Sequence, residues 1–263
     1  MSRWLPVLLL LLFSTNALAA KRVVVLAPAA ADLLVRLQAE NRVVGVTRSV
    51  DAFPAATRVG SHIRPNLEII RSLRPDLLIL SSNRFFSAAM AAAVDAELFY
   101  YHPQTLEEVL QQSAALAAVL DRRAAGQVLI EEQRRKLEKI KRLPRAPDVI
   151  YEVSAMPLML AGQKNIVRDI IEQAGGRLLT PGDRKLVRFN AEGILARQPR
   201  IYIYQVGPMN RNPTPPAERG PLRSLKATIL QVDELQFSRA NTGSFDNVLM
   251  LNRFFLKTLS DSE

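Results

Sequence analysis

Two α/β lobes with mainly parallel sheets, joined by one long rigid helix and enclosing a cleft, are the fold class this sequence predicts. Three observations predict it. Short aliphatic and β-branched runs recur along the chain, each followed by a segment with helical spacing of apolar residues, the alternation that builds right-handed βαβ crossovers. An all-helical stretch, 104–143, interrupts that alternation near the middle. The order Asn, carboxylate two residues on, aliphatic helix, Pro, strand occurs twice, in "PNLEIIRSLRPDLLIL" (65–80) and "FNAEGILARQPRIYIY" (189–204).

The elements follow in chain order. Residues 1–20 hold an apolar run from Leu5 to Phe13 and then Ala17-Leu18-Ala19, the small-x-small pattern of a cleavable signal peptide. The run is shorter than the roughly 20 residues a membrane-spanning helix needs. "RVVVLA" (22–27) and "RVVGVT" (42–47) read as buried strands, with a helix between them on Leu33, Leu34 and Leu37. Asn66 is expected to cap a helix whose Leu67, Ile69, Ile70 and Leu73 face inward, ended by Pro75 before the strand "DLLILS". "RFFSAAMAAAVDA" then reads as a helix and "ELFYYH" as a strand. Within 104–143 the spacing predicts two helices, the second capped by Asp121 and running to Leu143, about 33 Å at 1.5 Å per residue. In the second half "DVIYEVS", "LMLAG", "RLLT", "RIYIYQ" and "ILQVDE" are strands, with helices over 164–174 and 190–198. The expected division is a signal peptide at 1–20, an N-terminal lobe at 21–120, an inter-lobe helix at 121–143 and a C-terminal lobe at 144–263.

The chain has no Cys, so an exported protein of this sequence relies on its core alone and has no cysteine to carry a lipid. It therefore diffuses freely and is expected in a periplasm, as a monomer. The formal charge is +10, and +9 once Arg3 leaves with the signal peptide. That excess favours anionic ligands or surfaces. Nucleic acid is excluded as a partner by the exported location. The dense basic cluster "EEQRRKLEKIKRLPR" reads as a solvated helix face. No Gly-x-Ser-x-Gly elbow, Gly-x-Gly-x-x-Gly turn or Walker loop occurs, so the sequence does not read as an enzyme.

The paired motif and its surroundings, "RVVVLAPAAADLLVRLQAENRVVGVT" and "RVGSHIRPNLEIIRSLRPDLLIL", together with the long mid-chain helix, resemble the class III periplasmic substrate-binding proteins of ABC importers. That family serves siderophores, haem and cobalamin. The resemblance covers about 21–255 and implies that Glu68 and Glu192 dock the two lobes onto the permease. Where the family commonly has Thr-Glu and Gly, this chain has Ala31-Asp32 and Gln38; of the family's C-terminal Arg-Pro-Gly-Pro-Arg only Arg239 remains. The implied cargo is an anionic metal chelate of the iron(III)-siderophore type, with haem or cobalamin as the alternative and molybdate behind them. No covalent cofactor is implied.

In such an architecture the loops at the C-terminal ends of the strands line the cleft. They place His62, Arg64, Asn83, Arg84 and Phe85 in one lobe, and Met156, Gln205, Met209, Asn210, Arg211 and Arg239 in the other. Arginine forks suit carboxylate, hydroxamate or phosphate oxygens. His62 is a candidate iron ligand, Phe85 a stacking surface, and "YQVGPMNRNPTPP" an irregular ligand-contacting loop, whereas His102 reads as structural. Without clustered His and carboxylates, no bare-metal site is expected.

Overall fold

The computed structural model describes residues 20–261, so the signal peptide expected at 1–20 lies, except for Ala20, outside the described residues. Ala20 is buried in the core and its carbonyl accepts from Arg42, so the first lobe starts one residue before the expected boundary.

In the N-terminal lobe, β1 (Val23–Val25), β2 (Val43–Val46), β3 (Thr57–Arg58), β6 (Leu77–Leu80) and β7 (Glu97–Tyr100) form one sheet in the order β3-β2-β1-β6-β7. Every pair in it is parallel. Side chains of a strand alternate between faces, and here both faces are covered. Val23, Val25, Leu77 and Ile79 pack under α1 (Ala31–Arg36), while Val24, Leu78 and Leu80 pack with α2 (Leu67–Ser72) and α3 (Ala88–Ala92). That double burial is why the strands read as unbroken aliphatic runs. A small antiparallel pair, β4 (Gly60–Ser61) with β5 (Arg64–Pro65), stands beside the sheet.

The C-terminal lobe is built from β8 (Asp148–Ala155), β9 (Leu158–Ala161), β10 (Arg177–Leu178), β11 (Leu186–Arg188), β12 (Ile201–Val206) and β13 (Thr228–Asp233), in the order β11-β9-β8-β12-β13 with β10 also beside β8. The strands β10, β12 and β13 run parallel to their neighbours, but β9 is antiparallel to both β8 and β11. The hairpin turns at Met156-Pro157, a cis peptide. Its faces are covered by α6 (Ile166–Gln173) and α9 (Gly243–Ser260) on one side and α7 (Ala191–Arg197) on the other, with α8 (Glu234–Phe237) following β13.

The link between lobes differs from the expected single helix. Two helices carry it, α4 (Leu106–Val119) and α5 (Arg123–Leu137), packed against each other. The α5 helix is 15 residues long, about 22 Å at 1.5 Å per residue, and stops short of Leu143. Asp121 does not cap it; it takes a positive φ of 50°, and Arg122 stands at the N-cap. Each helix serves both cores. Leu106, Val109 and Leu110 of α4 lie in the C-terminal core and Leu116 and Ala117 in the N-terminal one; Leu129 of α5 joins the N-terminal core while Ile130 and Leu137 pack on the C-terminal one. The boundary at 120 therefore cuts through a shared layer.

The sequence reading assigns no element after residue 234, yet α9 is the longest helix described, burying Phe245, Val248, Leu251, Phe255 and Leu259. Hydrogen bonds from this C-terminal region then fix the lobes together. Tyr101 Oη, just past β7, donates to Ala240 O at 2.8 Å; Arg239 donates to Ser49 O at 2.9 Å; Thr242 Oγ1 donates to Asp32 at 2.5 Å. All three join residues that follow the C-terminal ends of N-terminal-lobe strands to the segment following β13. The two sheets thus turn those edges toward each other.

Candidate functional site

The N-terminal wall of the cleft is built by two short loops. In the first, Gly60 has φ of +94°, and a Cβ there would stand 2.6 Å from Arg64 O, so the turn requires glycine. Ser61 Oγ accepts from Arg64 N at 3.1 Å and closes the turn, which leaves His62, Ile63 and Arg64 exposed at its tip. The second loop follows β6. There Ser82 Oγ accepts from Arg84 N at 2.9 Å, and Ser87 caps α3, so Arg84 and Phe85 precede that helix rather than belong to it. The loops meet: the His62 ring stands edge-on to Phe85 at 6.4 Å and 87°, and the Arg84 guanidinium lies 5.4 Å over the Phe85 ring. Asn83 is exposed beside them.

Lys185 answers from the other lobe. It precedes β11, and its carbonyl accepts from Gly162 N at 3.1 Å and Asn165 Nδ2 at 3.3 Å, which fixes its backbone. His62, His102 and Lys185 are each open to solvent, yet surrounding protein desolvates all three and lowers their pKa values. The Lys185 ammonium also pushes both histidines down, so a C-terminal-lobe charge acts on N-terminal-lobe rings across the cleft. The result at neutral pH is an uncharged His62, whose ring nitrogen is available as a ligand. His102, with its backbone N–H donating to Gln112 at 2.9 Å, joins this environment through its ring.

On the C-terminal wall, Met156 is 91% exposed at the end of β8 and Met209 51% exposed beyond β12. Asn210 ties the two loops together: its Oδ1 accepts from Ala155 N at 2.9 Å and its Nδ2 donates to Gln205 O at 2.7 Å. Arg211 projects next to it, exposed.

Three residues expected to line the cleft are engaged elsewhere. Gln205 is fully buried, accepting from Tyr151 Oη and Ser238 Oγ and donating to Val153 O. Asn210 is buried as the loop clasp just described. Gln205 turns to the face of β12 that carries Tyr151 and Ser238, whereas Asn210 sits over a buried ion pair, Glu152 with Arg219, to which Tyr202 adds a hydrogen bond at 2.5 Å. Arg239 sits at the lobe seam on Ser49 O. It lines a polar hollow of about 330 Å³ with Asp32, Arg36 and Thr242, apart from the His62 cluster. Sequence reasoning missed Lys185, for which the turn-rich "PGDRKL" before β11 was the available signal.

Glu68 and Glu192 occupy equivalent places. Each is the second residue of its helix, exposed, behind an Asn N-cap: Asn66 Oδ1 accepts from Ile69 N at 3.1 Å and Asn190 Oδ1 from Gly193 N at 2.8 Å. Among the described residues no group of three or more His, Cys, Asp or Glu is placed to hold a metal ion, and no helix is long and apolar enough to cross a membrane.

The fold is shared with solved structures along almost its whole length. The periplasmic haem-binding protein BhuT, in complex with two haems, is 22% identical with a TM-score of 0.76, over 91% of this chain and 99% of that one. The periplasmic vitamin B12 binding protein BtuF of Vibrio cholerae is 18% identical with a TM-score of 0.74, over 92% and 98%. The periplasmic haem binding protein HutB of Vibrio cholerae is 17% identical with a TM-score of 0.77, over 89% and 98%. None of the curated proteins matches the chain. At these identities the likeness establishes the two-lobed fold, and the family rests on the sequence itself. The sequence model described as periplasmic binding protein matches residues 23–213, and with it the chain belongs to the periplasmic binding protein family, a family of binding proteins and not of enzymes.

Proposed function

We propose that this protein is the substrate-capturing component of an ABC importer and that its cargo is haem. The observation that carries the reading is His62: accessible, held uncharged by desolvation and by Lys185, and set edge-on against Phe85. An iron already bound by a tetrapyrrole needs one axial donor from the protein, and a single imidazole supplies it. Ile63, Phe85, Met156 and Met209 offer apolar contact to a flat macrocycle, and Arg64, Arg84, Arg211 and Lys185 offer cations to its carboxylates. The solved structures named for haem binding support the same reading. The iron(III)-siderophore expected first from the sequence becomes the second reading, favoured by the number of cations at the cleft and by the absence of any Trp beyond Trp4 of the signal peptide. Delivery then proceeds by docking through Glu68 and Glu192, whose matched helix-start positions present one carboxylate from each lobe.

Absorption titration with hemin at pH 7.5 tests this. A saturable Soret shift is expected, and His62→Ala is expected to change the band shape and weaken binding about tenfold or more, the loss of at least one strong polar contact. The double variant Glu68→Ala/Glu192→Ala should titrate as the parent does while abolishing uptake in cells. Binding of ferric siderophores with no hemin response would transfer the assignment to the second reading; a response to neither overturns both.

A further inference from the structure

The strand edge that faces away from the cleft in the C-terminal lobe is a pole of positive charge, and nothing in the capture of a ligand uses it. Between residues 134 and 145 stand seven Lys and Arg against one carboxylate, Glu138. Lys136 is paired with Glu132 and Asp246, whereas among the described residues the other six form no ion pair. Arg134 and Arg135 lie in the last turn of α5, where the helix dipole favours cations, so the helix itself accounts for them. Lys139, Lys141, Arg142 and Arg145 lie past the helix end, all exposed, and the dipole does not account for them.

This strip is built rather than loose. Lys141 N donates to Asn252 Oδ1 at 3.0 Å, and Asn252 Nδ2 returns a bond to Lys141 O at 2.8 Å. Ile140 and Leu143 pack onto the C-terminal core, which turns the four cations outward on a fixed backbone. The strip leads into β8, and the same strand-entry edge continues to β12 and β13. A hollow of about 540 Å³ there is lined by Arg200, Ser224 and Lys226.

We propose that this pole binds anionic phospholipid headgroups and holds the protein on a membrane surface. Juxtaposed cations gain on the order of 1 kcal/mol each near an anionic leaflet, an attraction that falls away within a Debye length. The headgroup phosphates meet the cation strip, and the hollow at the same strand-entry end of the sheet is large enough to admit one. Parallel strands have their two ends on opposite edges, so a molecule held by this pole turns its cleft away from the bilayer. Ligand capture and surface binding are therefore compatible, and the surface-bound molecule is in a loading orientation rather than one docked on a permease in that same membrane.

Co-sedimentation of the mature protein with phosphatidylglycerol-containing vesicles, beside pure phosphatidylcholine vesicles, tests the proposal. Binding is expected to the anionic vesicles alone, to weaken steeply between 50 and about 300 mM salt, and to be unaffected by hemin. Lys139→Gln/Lys141→Gln/Arg142→Gln/Arg145→Gln is expected to lower partitioning roughly a thousandfold while keeping the parent's thermal midpoint and hemin titration. Equal binding to both vesicle types, no binding to either, or an unchanged quadruple variant overturns it. So does displacement by low-millimolar inorganic phosphate, which marks a free-anion site instead of a surface.

Discussion

The two lobes solve the same architectural problem with different materials. The N-terminal sheet is entirely parallel and its interior mostly apolar, with Thr47, Ser61 and, on the shared helix α4, Ser113 as small buried polar side chains and no buried carboxylate. The C-terminal lobe buries Glu152, Asp169 and Glu234, along with Asn165, Gln205, Asn210, Asn247 and Asn252. The contrast follows from topology. A doubly covered parallel sheet satisfies its backbone through its ladders. A sheet that reverses at the Met156-Pro157 hairpin and must seat the long 207–227 connection leaves loop backbone groups unpaired, and side chains have to satisfy them. One lobe therefore presents reactive side chains on short turns, and the other holds a loop rigid from beneath.

The largest effect that tests this contrast is at the buried ion pair. Glu152 is fully buried and meets the Arg219 guanidinium through both oxygens. Arg219→Ala leaves that carboxylate buried without its partner and is expected to cost about 3–5 kcal/mol in urea unfolding. Replacement of Arg84, an exposed N-terminal-lobe arginine, should cost under about 0.5 kcal/mol. Comparable losses at the two sites would break the distinction between the lobes.

That asymmetry also explains what was legible in the sequence. The aliphatic strands and the Asn66 and Asn190 caps stand in local patterns, and the structure has them where the patterns place them. The inward turn of Gln205 and Asn210 is not local, because it depends on partners distant in the chain: Tyr151, Val153 and Ser238 for Gln205, Ala155 and the Arg219-paired Glu152 for Asn210. "YQVGPMNRN" looks the same whether its polar groups face a ligand or a buried carboxylate. The shortening of α5 was likewise hidden: helical spacing continues through Ile140 and Leu143, but Asn252 binds the Lys141 backbone and takes it out of the helix. By contrast α9 was readable and unread, its Phe245, Val248, Leu251, Phe255 and Leu259 at helical intervals.

A smaller effect probes where the lobes agree. Asn66→Ala and Asn190→Ala each remove one cap bond, and each is expected to cost about 1 kcal/mol. Equal losses by thermal unfolding would show that the helix start behind each exposed glutamate is a local device independent of the sheet below it. A loss in one lobe alone would separate the two starts and weaken the case for paired docking carboxylates.

The smallest effect is the one in which the lobes act on each other. His62 and His102 are lowered first by burial and then by Lys185 of the opposite lobe, with Glu108 pulling His102 back up in part. The unfolded chain, with histidines near 6.5, binds protons more readily than the folded one as pH falls below that value. Stability is thus unaffected above about pH 7, declines on acidification through 6.5, and levels off once the folded-state pKa values are passed. Both rings touch solvent, so after screening the decline should be roughly half a kcal/mol or less. The pKa values themselves are the sharper readout, since the chain has only two histidines and their ring protons are resolvable by NMR. Lys185→Ala removes the cross-cleft repulsion and leaves the burial; both titrations should move up toward 6.5 without reaching it. If neither moves, the lysine does not face the histidines and the cleft is wider than the cross-lobe electrostatics require.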